Sequence, residues 1–106
     1  MKKVMAVGVF DLLHKGHINY LKQCKKYGYL VVVIARDINI KKEKPLTWDE
    51  NKRFQEIKKL SFVDEVVLGD EKDKLKTVEK VKPDIICLGY DDRTDKKILI
   101  KKLKER

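Results

Sequence analysis

Four short apolar runs, rich in branched side chains, constrain the fold of this chain more than any other feature. Uninterrupted runs of this kind are typical of strands that are buried on both faces of a sheet. The runs are KVMAVGV at 3–9, LVVVIA at 30–35, VDEVVLG at 63–69 and PDIICLG at 83–89. We therefore predict four buried strands.

The segments between the runs have apolar residues at the spacing of amphipathic helices. A first helix is predicted over 17–27 with Gly28 at its end, and Thr47 with Glu50 forms a capping-box pattern that opens a second. A third helix is marked by apolar residues at Leu75, Val78 and Val81, and a fourth by Ile98, Leu99 and Leu103. Strands that alternate with helices require parallel pairing and right-handed crossovers. The predicted fold is α/β, a Rossmann-like three-layer sandwich with a parallel sheet of about four strands and helices on both faces.

The 106 residues are predicted to form one domain, 1–106, because this length is near the commonest size for a unit with its own core. No window reaches the roughly 18 apolar residues of a membrane span, and Asp11 interrupts the first run too early for a signal peptide. A cytoplasmic location without a membrane partner is expected. Cys24 and Cys87 lie in apolar segments, so we predict two core residues and no disulfide. The histidine and cysteine spacing matches no usual zinc site, so no metal site is predicted.

The chain is basic, with 26 Lys plus Arg against 17 Asp plus Glu and a net charge of +9. This charge favours anionic partners such as phosphates and nucleic acids. A lysine-rich solvated surface accounts for it equally well. The chain has no interleaved aromatic and basic residues and no known nucleic-acid motif, so no nucleic-acid partner is expected.

The only two histidines, His14 and His17, follow the first predicted strand. In a parallel α/β sheet, ligands bind beyond the carboxyl ends of the strands, so both histidines fall at the expected ligand edge. A helix N-terminus offers unpaired N–H groups to a phosphate, and Gly16 permits close approach of the backbone. Two imidazoles there can donate hydrogen bonds to phosphate oxygens. The pattern predicts a phosphate site.

The stretch GVFDLLHKGH at 8–17 resembles the G-x-F-D-x-x-H-x-G-H signature of the cytidylyltransferase-like nucleotidyltransferases, which have a Rossmann-like fold. Val9 stands where family members often have Thr or Cys. The archaeal-type FAD synthases (FMN adenylyltransferases) are more similar to the chain than the glycerol-3-phosphate cytidylyltransferases. The segments that carry this similarity are ARD at 35–37, KEKP at 42–45, VDEVVLGD at 63–70 and KPDIICLGYD at 82–91. The cytidylyltransferases usually have Gly-Asp-Asp-Trp where this chain has LGYD and then Asp92.

The resemblance implies an enzyme in which a substrate phosphate attacks the α-phosphorus of a nucleoside triphosphate, with Mg²⁺ bound, and pyrophosphate leaves. It implies that His14, His17 and Lys44 are catalytic, the histidines holding the triphosphate and stabilising the transition state. The implied nucleotide-binding residues are Gly8, Val9, Phe10, Asp11, His14, Gly16, His17, Arg53, Gly89, Tyr90 and Asp91. Asp11 would lie beside the metal or orient a histidine, and Gly89, Tyr90 and Asp91 would line the base and ribose.

Other interpretations of single residues stay open. Lys44 also fits a solvated loop lysine, and Arg53 fits an ion-pair partner on a helix surface. Tyr90 and Asp91 also fit simple turn residues.

Two substrate pairs suit the implied reaction, namely ATP with FMN, which gives FAD, and CTP with glycerol 3-phosphate. A nucleotide-binding module without turnover is a further alternative. Family members usually continue into a strand that ends in Arg-Thr-x-Gly-Ile-Ser-Thr, whereas Arg93 and Thr94 here precede the predicted last helix without Gly-Ile-Ser. We therefore expect the domain to lack the family's C-terminal strand. A homodimer is predicted, because a short sheet leaves edges and apolar helix faces to cover.

Overall fold

The computed structural model describes residues 2–39, 46–70, 74–88 and 99–102, and within them five strands form one sheet. The strands are β1 (Lys3–Gly8), β2 (Tyr29–Ile34), β3 (Glu65–Leu68), β4 (Ile85–Leu88) and β5 (Leu99–Lys102). Their order across the sheet is β3-β2-β1-β4-β5. The helices are α1 (Lys15–Lys25), α2 (Glu50–Lys58) and α3 (Lys74–Val81), and a short 3₁₀ helix, Asp37–Asn39, follows β2.

The four strands predicted from the sequence form the parallel part of the sheet. β1 is central and pairs in parallel with β2 over its whole length and with β4 over 4–6. β3 pairs in parallel with the other side of β2. The carboxyl ends of all four strands therefore lie at one edge, and the predicted Rossmann-like α/β fold is confirmed.

β5 occupies a place where the sequence predicts a helix. The fourth helix predicted from Ile98, Leu99 and Leu103 is wrong, because β5 pairs antiparallel with β4, from Ile85↔Lys102 to Leu88↔Leu99. Apolar spacing in so short a run fits either element. Pairing decides between them, since without β5 one edge of β4 would leave its N–H and C=O groups without strand partners. Ile98 and Leu103 themselves lie outside the described residues.

Helices pack on both faces of the sheet, as predicted. On one face, α1 and α2 bury Tyr20, Leu21 and Ile57. On the other, Val78 and Val81 of α3 pack against the strands. Buried strand residues alternate between the faces: Val4, Ala6, Leu30, Val32 and Ile34 on the first, and Met5, Val31 and Val33 on the second. This alternation follows from the two-residue period of a strand and gives the three-layer sandwich.

Gly28 turns the chain from α1 into β2. Its φ is +150°, and a Cβ at this position would lie 2.0 Å from the carbonyl oxygen of Lys2. The next residue, Tyr29, donates its backbone N–H to that same oxygen at 2.8 Å. Glycine is required here because a side chain would collide with the backbone that begins β1.

The start of α2 differs from its predicted capping box. Asp49 is the N-cap, and its carboxylate accepts the backbone N–H of Lys52 at 2.8 Å. Thr47 instead donates its backbone N–H to Asp11, and the Glu50 carboxylate accepts the backbone N–H of Asp37. The box predicted from Thr47 and Glu50 is wrong, because tertiary partners and a better-placed aspartate replace it.

Cys24 and Cys87 are fully buried free thiols, as predicted. Contact with the Cys87 thiol, together with burial, raises the pKa of Cys24, so this thiol stays protonated and behaves as an apolar core group. The Tyr20 hydroxyl donates to the Cys87 carbonyl at 3.0 Å and ties α1 to β4. None of the helices in the described part of the chain is long and apolar enough to span a membrane.

Candidate phosphate site

Gly8 and Phe10 together shape the turn between β1 and α1. Phe10 is buried, and its ring lies over Gly8 so closely that a Cβ there would be 2.7 Å from the ring. The Phe10 ring also makes a T-shaped contact with the imidazole of His17, with centroids 5.6 Å apart, and stacks on Tyr20 at 6.4 Å. The glycine therefore makes room for the aromatic ring that supports one of the two histidines.

Two non-glycine residues of this turn have left-handed backbone conformations. The φ angles are +57° at Phe10 and +50° at Leu12. Each such residue costs about 1–2 kcal/mol. Leu12 recovers little of this cost by burial, since 48% of it is exposed. Strain of this kind persists only where surrounding contacts hold it, and it concentrates at functional sites.

The Asp11 carboxylate is one of the contacts that hold the turn. It accepts the backbone N–H of Thr47 at 3.0 Å and that of Trp48 at 2.8 Å. In the structure it therefore joins the β1–α1 turn to the segment before α2. The alternative roles inferred for Asp11, beside a metal or against a histidine, stay predictions.

His14 and His17 form the cap of α1. His14 is the N-cap, and its Nδ1 accepts the backbone N–H of Gly16 at 3.0 Å. The backbone N–H of His14 in turn donates to Nδ1 of His17 at 3.3 Å. The rings are stacked, with centroids 4.0 Å apart. The structure therefore brings together the two histidines and the glycine that the sequence pattern singles out.

These caps assign the tautomer of both rings. A ring nitrogen that accepts a hydrogen bond carries no proton, so the proton of each neutral imidazole is on Nε2. Each Nε2–H is a donor that can bind a phosphate oxygen. The H-x-x-H spacing equals that of an S/T-x-x-E capping box, a sequence signal that could have identified the caps before the structure.

The N-terminus of α1 carries no acidic residue in its first turn, and Lys15 is its first residue. No carboxylate therefore offsets the positive end of the helix dipole beside the two imidazoles. Donors and a positive helix end in one place suit the binding of an anion, and above all of a phosphate.

Arg53 lies behind the turn and is completely buried. Its Nη1 donates to the carbonyl oxygens of Val9 and Ala35, each at 2.9 Å. Sequence reasoning missed this inward orientation, because Arg53 sits within the charged stretch DENKR and its position along the helix alone does not reveal the carbonyls. Its predicted contact with the nucleotide stays a prediction.

Four predicted site residues lie outside the described part of the chain: Lys44, Gly89, Tyr90 and Asp91. β4 ends at Leu88, and Cys87 of β4 is in register with Ala6 of β1. The end of β4 is therefore at the same edge of the sheet as the histidine-bearing turn.

Comparisons with known proteins found a matching family and several similar chains. The model of the cytidylyltransferase-like family matches residues 5–105. The FAD synthase of Ferroglobus placidus is 48% identical over 108 residues, covering 100% of this chain and 70% of that protein. The FAD synthase of Thermoplasma volcanium is 51% identical over 105 residues, covering 97% of this chain and 74% of that protein.

A solved structure has the same fold. The crystal structure of the lipopolysaccharide core biosynthesis protein from Thermoplasma volcanium matches with a TM-score of 0.81 and 55% sequence identity. The match covers 90% of this chain and 80% of that one.

Proposed function

The chain belongs to the cytidylyltransferase-like family, and on that premise we propose that it transfers AMP from ATP to FMN, forming FAD and releasing pyrophosphate. Membership of the family and the similarity to FAD synthases make it a nucleotidyltransferase. The choice of ATP and FMN is supported by relatives named FAD synthase at 48% and 51% identity.

The observation that carries this proposal is the pair of imidazoles that cap the start of α1. Both Nδ1 atoms accept backbone N–H groups, so both Nε2–H groups are donors for phosphate oxygens. In the proposed reaction, a phosphate oxygen of FMN forms a bond to the α-phosphorus of ATP while the bond to the bridging oxygen of pyrophosphate breaks. Negative charge builds on the oxygens around phosphorus, and His14 and His17 donate to these oxygens.

No protein nucleophile is needed for such a transfer, because positioning and charge stabilisation account for most of its catalysis. The helix N-terminus adds its positive end to the same region. Lys44 is proposed to add a cation near the phosphates, and Gly89, Tyr90 and Asp91 to line the base and ribose. These four roles are carried over from the family resemblance.

Mg²⁺ is proposed to enter bound to the triphosphate, where it would neutralise charge on the phosphate oxygens. The side chains at the turn suit an anion, since they offer imidazole N–H donors. Within the described ranges, no group of three or more His, Cys, Asp or Glu side chains could hold a metal ion. The predicted homodimer and cytoplasmic location stay predictions.

The test is pyrophosphate release with Mg²⁺ in all four pairings of ATP or CTP with FMN or glycerol 3-phosphate. We expect release with ATP and FMN alone, accompanied by FAD in the product mixture. Release with CTP and glycerol 3-phosphate would assign the enzyme to the other branch of the family. A thermal shift with ATP but no release in any pairing would contradict the proposal and support a binding module.

A further inference from the structure

Arg53 makes more contacts around the β1–α1 turn than any role on a helix surface requires. Besides Val9 and Ala35, its Nε donates to the carbonyl oxygen of Trp48 at 3.3 Å, and its Nη2 pairs with the Asp37 carboxylate. Val9 follows β1, Ala35 and Asp37 follow β2, and Trp48 precedes α2. One buried guanidinium thus joins three segments at the carboxyl edge of the sheet.

The contacts of Arg53 and Asp11 form a closed ring. Arg53 holds the carbonyl oxygens of Val9 and Trp48. Asp11, two residues after Val9, accepts the backbone N–H of Trp48 at 2.8 Å. This closed set of hydrogen bonds encloses Phe10, the residue with φ +57°. The phenyl group of Phe10 supports the imidazole of His17. Removing one link therefore frees the backbone at the point where its conformation is least favourable.

The Asp37 carboxylate that binds the guanidinium is itself held in place by Glu50. The Asp37 backbone N–H donates to Glu50 Oε1 at 3.0 Å, and the Glu50 backbone N–H donates to Asp37 Oδ2 at 3.1 Å. This reciprocal pair orients the carboxylate that binds Arg53. Arg36 pairs with the second oxygen of Glu50 at 3.2 Å. The planar guanidinium of Arg53 has several donors and can bind its three carbonyl acceptors and the Asp37 carboxylate at once, whereas a lysine ammonium cannot.

We propose that Arg53 is a positioning residue for His14 and His17, acting through the backbone of the β1–α1 turn and not by touching the nucleotide. The carbonyls of Val9 and Ala35 and the Asp37 carboxylate turn its donors towards the protein. The role in turnover rests on the proposed function, whereas the role in orienting the imidazoles does not.

Arg53→Lys tests the proposal, with Lys58→Ala as a control that removes an exposed cation from the same helix. Imidazole ¹⁵N NMR of the nucleotide-free protein is measured first. In Arg53→Lys we expect the His17 nitrogens to move towards the averaged signals of two exchanging tautomers. In the control and the natural protein we expect the proton to stay on Nε2. This result does not depend on any reaction being catalysed.

Steady-state kinetics then separate positioning from phosphate contact. We expect Arg53→Lys to lower kcat by about 10- to 100-fold and to change KM for ATP by less than about threefold. Unchanged imidazole signals, with either unchanged kinetics or a selective rise in KM for ATP, would overturn the positioning role. If the natural protein itself shows no turnover, the proposed function fails while the NMR comparison still decides the positioning claim.

Asp37→Asn is the second variant, for use if Arg53→Lys does not fold. Asp37 is 40% exposed in its side chain, and the amide keeps its size while weakening the hold on Arg53. We expect the same change in the His17 signals at smaller amplitude. Signals identical to those of the natural protein would count against the positioning role.

Discussion

The two helices α1 and α2 begin at the same edge of the sheet with different caps. α2 begins with Asp49, whose carboxylate accepts the Lys52 N–H at 2.8 Å, and Glu50 adds a second acid to its first turn. α1 begins with His14, whose Nδ1 accepts the Gly16 N–H at 3.0 Å, and its first turn has no acid. The geometry of capping is shared, but the chemistry of the capping group is not.

On the proposed function, this difference separates a cap that serves stability from one that serves a ligand. Aspartate is among the preferred N-caps, and a carboxylate near a helix N-terminus contributes about 0.3–1 kcal/mol through the dipole. α1 forgoes that contribution and keeps its positive end available to an external anion. The strained turn before it, at Phe10 and Leu12, adds a further cost in the same place. On the proposed function, the start of α1 is organised for binding at the expense of stability.

The largest effect is expected from His17→Ala. Loss of one donor to the transition-state phosphate should lower kcat by about 10²- to 10³-fold. His17 is only half-buried, so the free energy of unfolding should fall by about 1 kcal/mol or less. Pyrophosphate release and urea denaturation measure the two quantities. Turnover equal to that of the natural protein would show that α1 is capped for stability after all.

His14→Asp converts the start of α1 into the form seen in α2. We expect the free energy of unfolding to rise by about 0.5–1 kcal/mol, because aspartate is a better cap and complements the dipole. Turnover should fall by about 100-fold or more, since the donor is lost and a carboxylate faces the phosphates. His14→Asn, a cap without charge, is the matched control and should lose less turnover. A variant that is both less stable and fully active would reverse the comparison.

Asp49→Ala removes the corresponding cap of α2. The free energy of unfolding should fall by about 1 kcal/mol. The value of kcat should change by less than about twofold. Thermal denaturation and the pyrophosphate assay are sufficient. A loss of turnover much larger than the loss of stability would mean that α2 also has a direct part in the site.

The smallest effect concerns Asp64, next to the amino end of β3 and away from both caps. Hydrogen bonds from Lys25 at 2.6 Å and from the Leu30 backbone N–H at 2.7 Å hold the pKa of Asp64 below its usual value. A carboxyl with a lowered pKa in the folded protein stabilises it above the unfolded pKa, and loses this contribution as the pH falls. Asp64→Asn should therefore reduce stability at neutral pH, and its difference from the natural protein should start to shrink as the pH falls below about 4 and close only below the lowered pKa of the folded carboxyl. Denaturation at several pH values measures this, and a difference that persists in acid would assign the effect to packing.

Most of the fold and the centre of the site were accessible from the sequence. The four apolar runs predicted the parallel strands, because such strands are buried on both faces and show continuous apolar composition. The histidines were found because their motif lies where a strand end meets a helix start. β5 was missed, since Leu99–Lys102 takes its structure from the edge of β4 and not from its own spacing.

Side-chain partners distant in sequence were beyond local reasoning. The Thr47–Glu50 pattern suggested a cap, but Asp11 and Asp37 bind the backbone N–H groups of Thr47 and Glu50, and Asp49 caps the helix. Arg53 suggested a surface or phosphate-binding cation. Its burial depends on three segments that meet only in the folded protein.

The central claim is that the two histidines cap α1 through Nδ1 and thereby offer Nε2–H to nucleotide phosphates. The most direct test is imidazole ¹⁵N NMR at about pH 8.5, where an ordinary imidazole is neutral, without and with saturating ATP and Mg²⁺. We predict a proton on Nε2 of both rings without nucleotide, and displacement of both Nε2–H signals when ATP binds. A proton on Nδ1 of either ring, or signals that saturating ATP leaves unmoved, would contradict the claim.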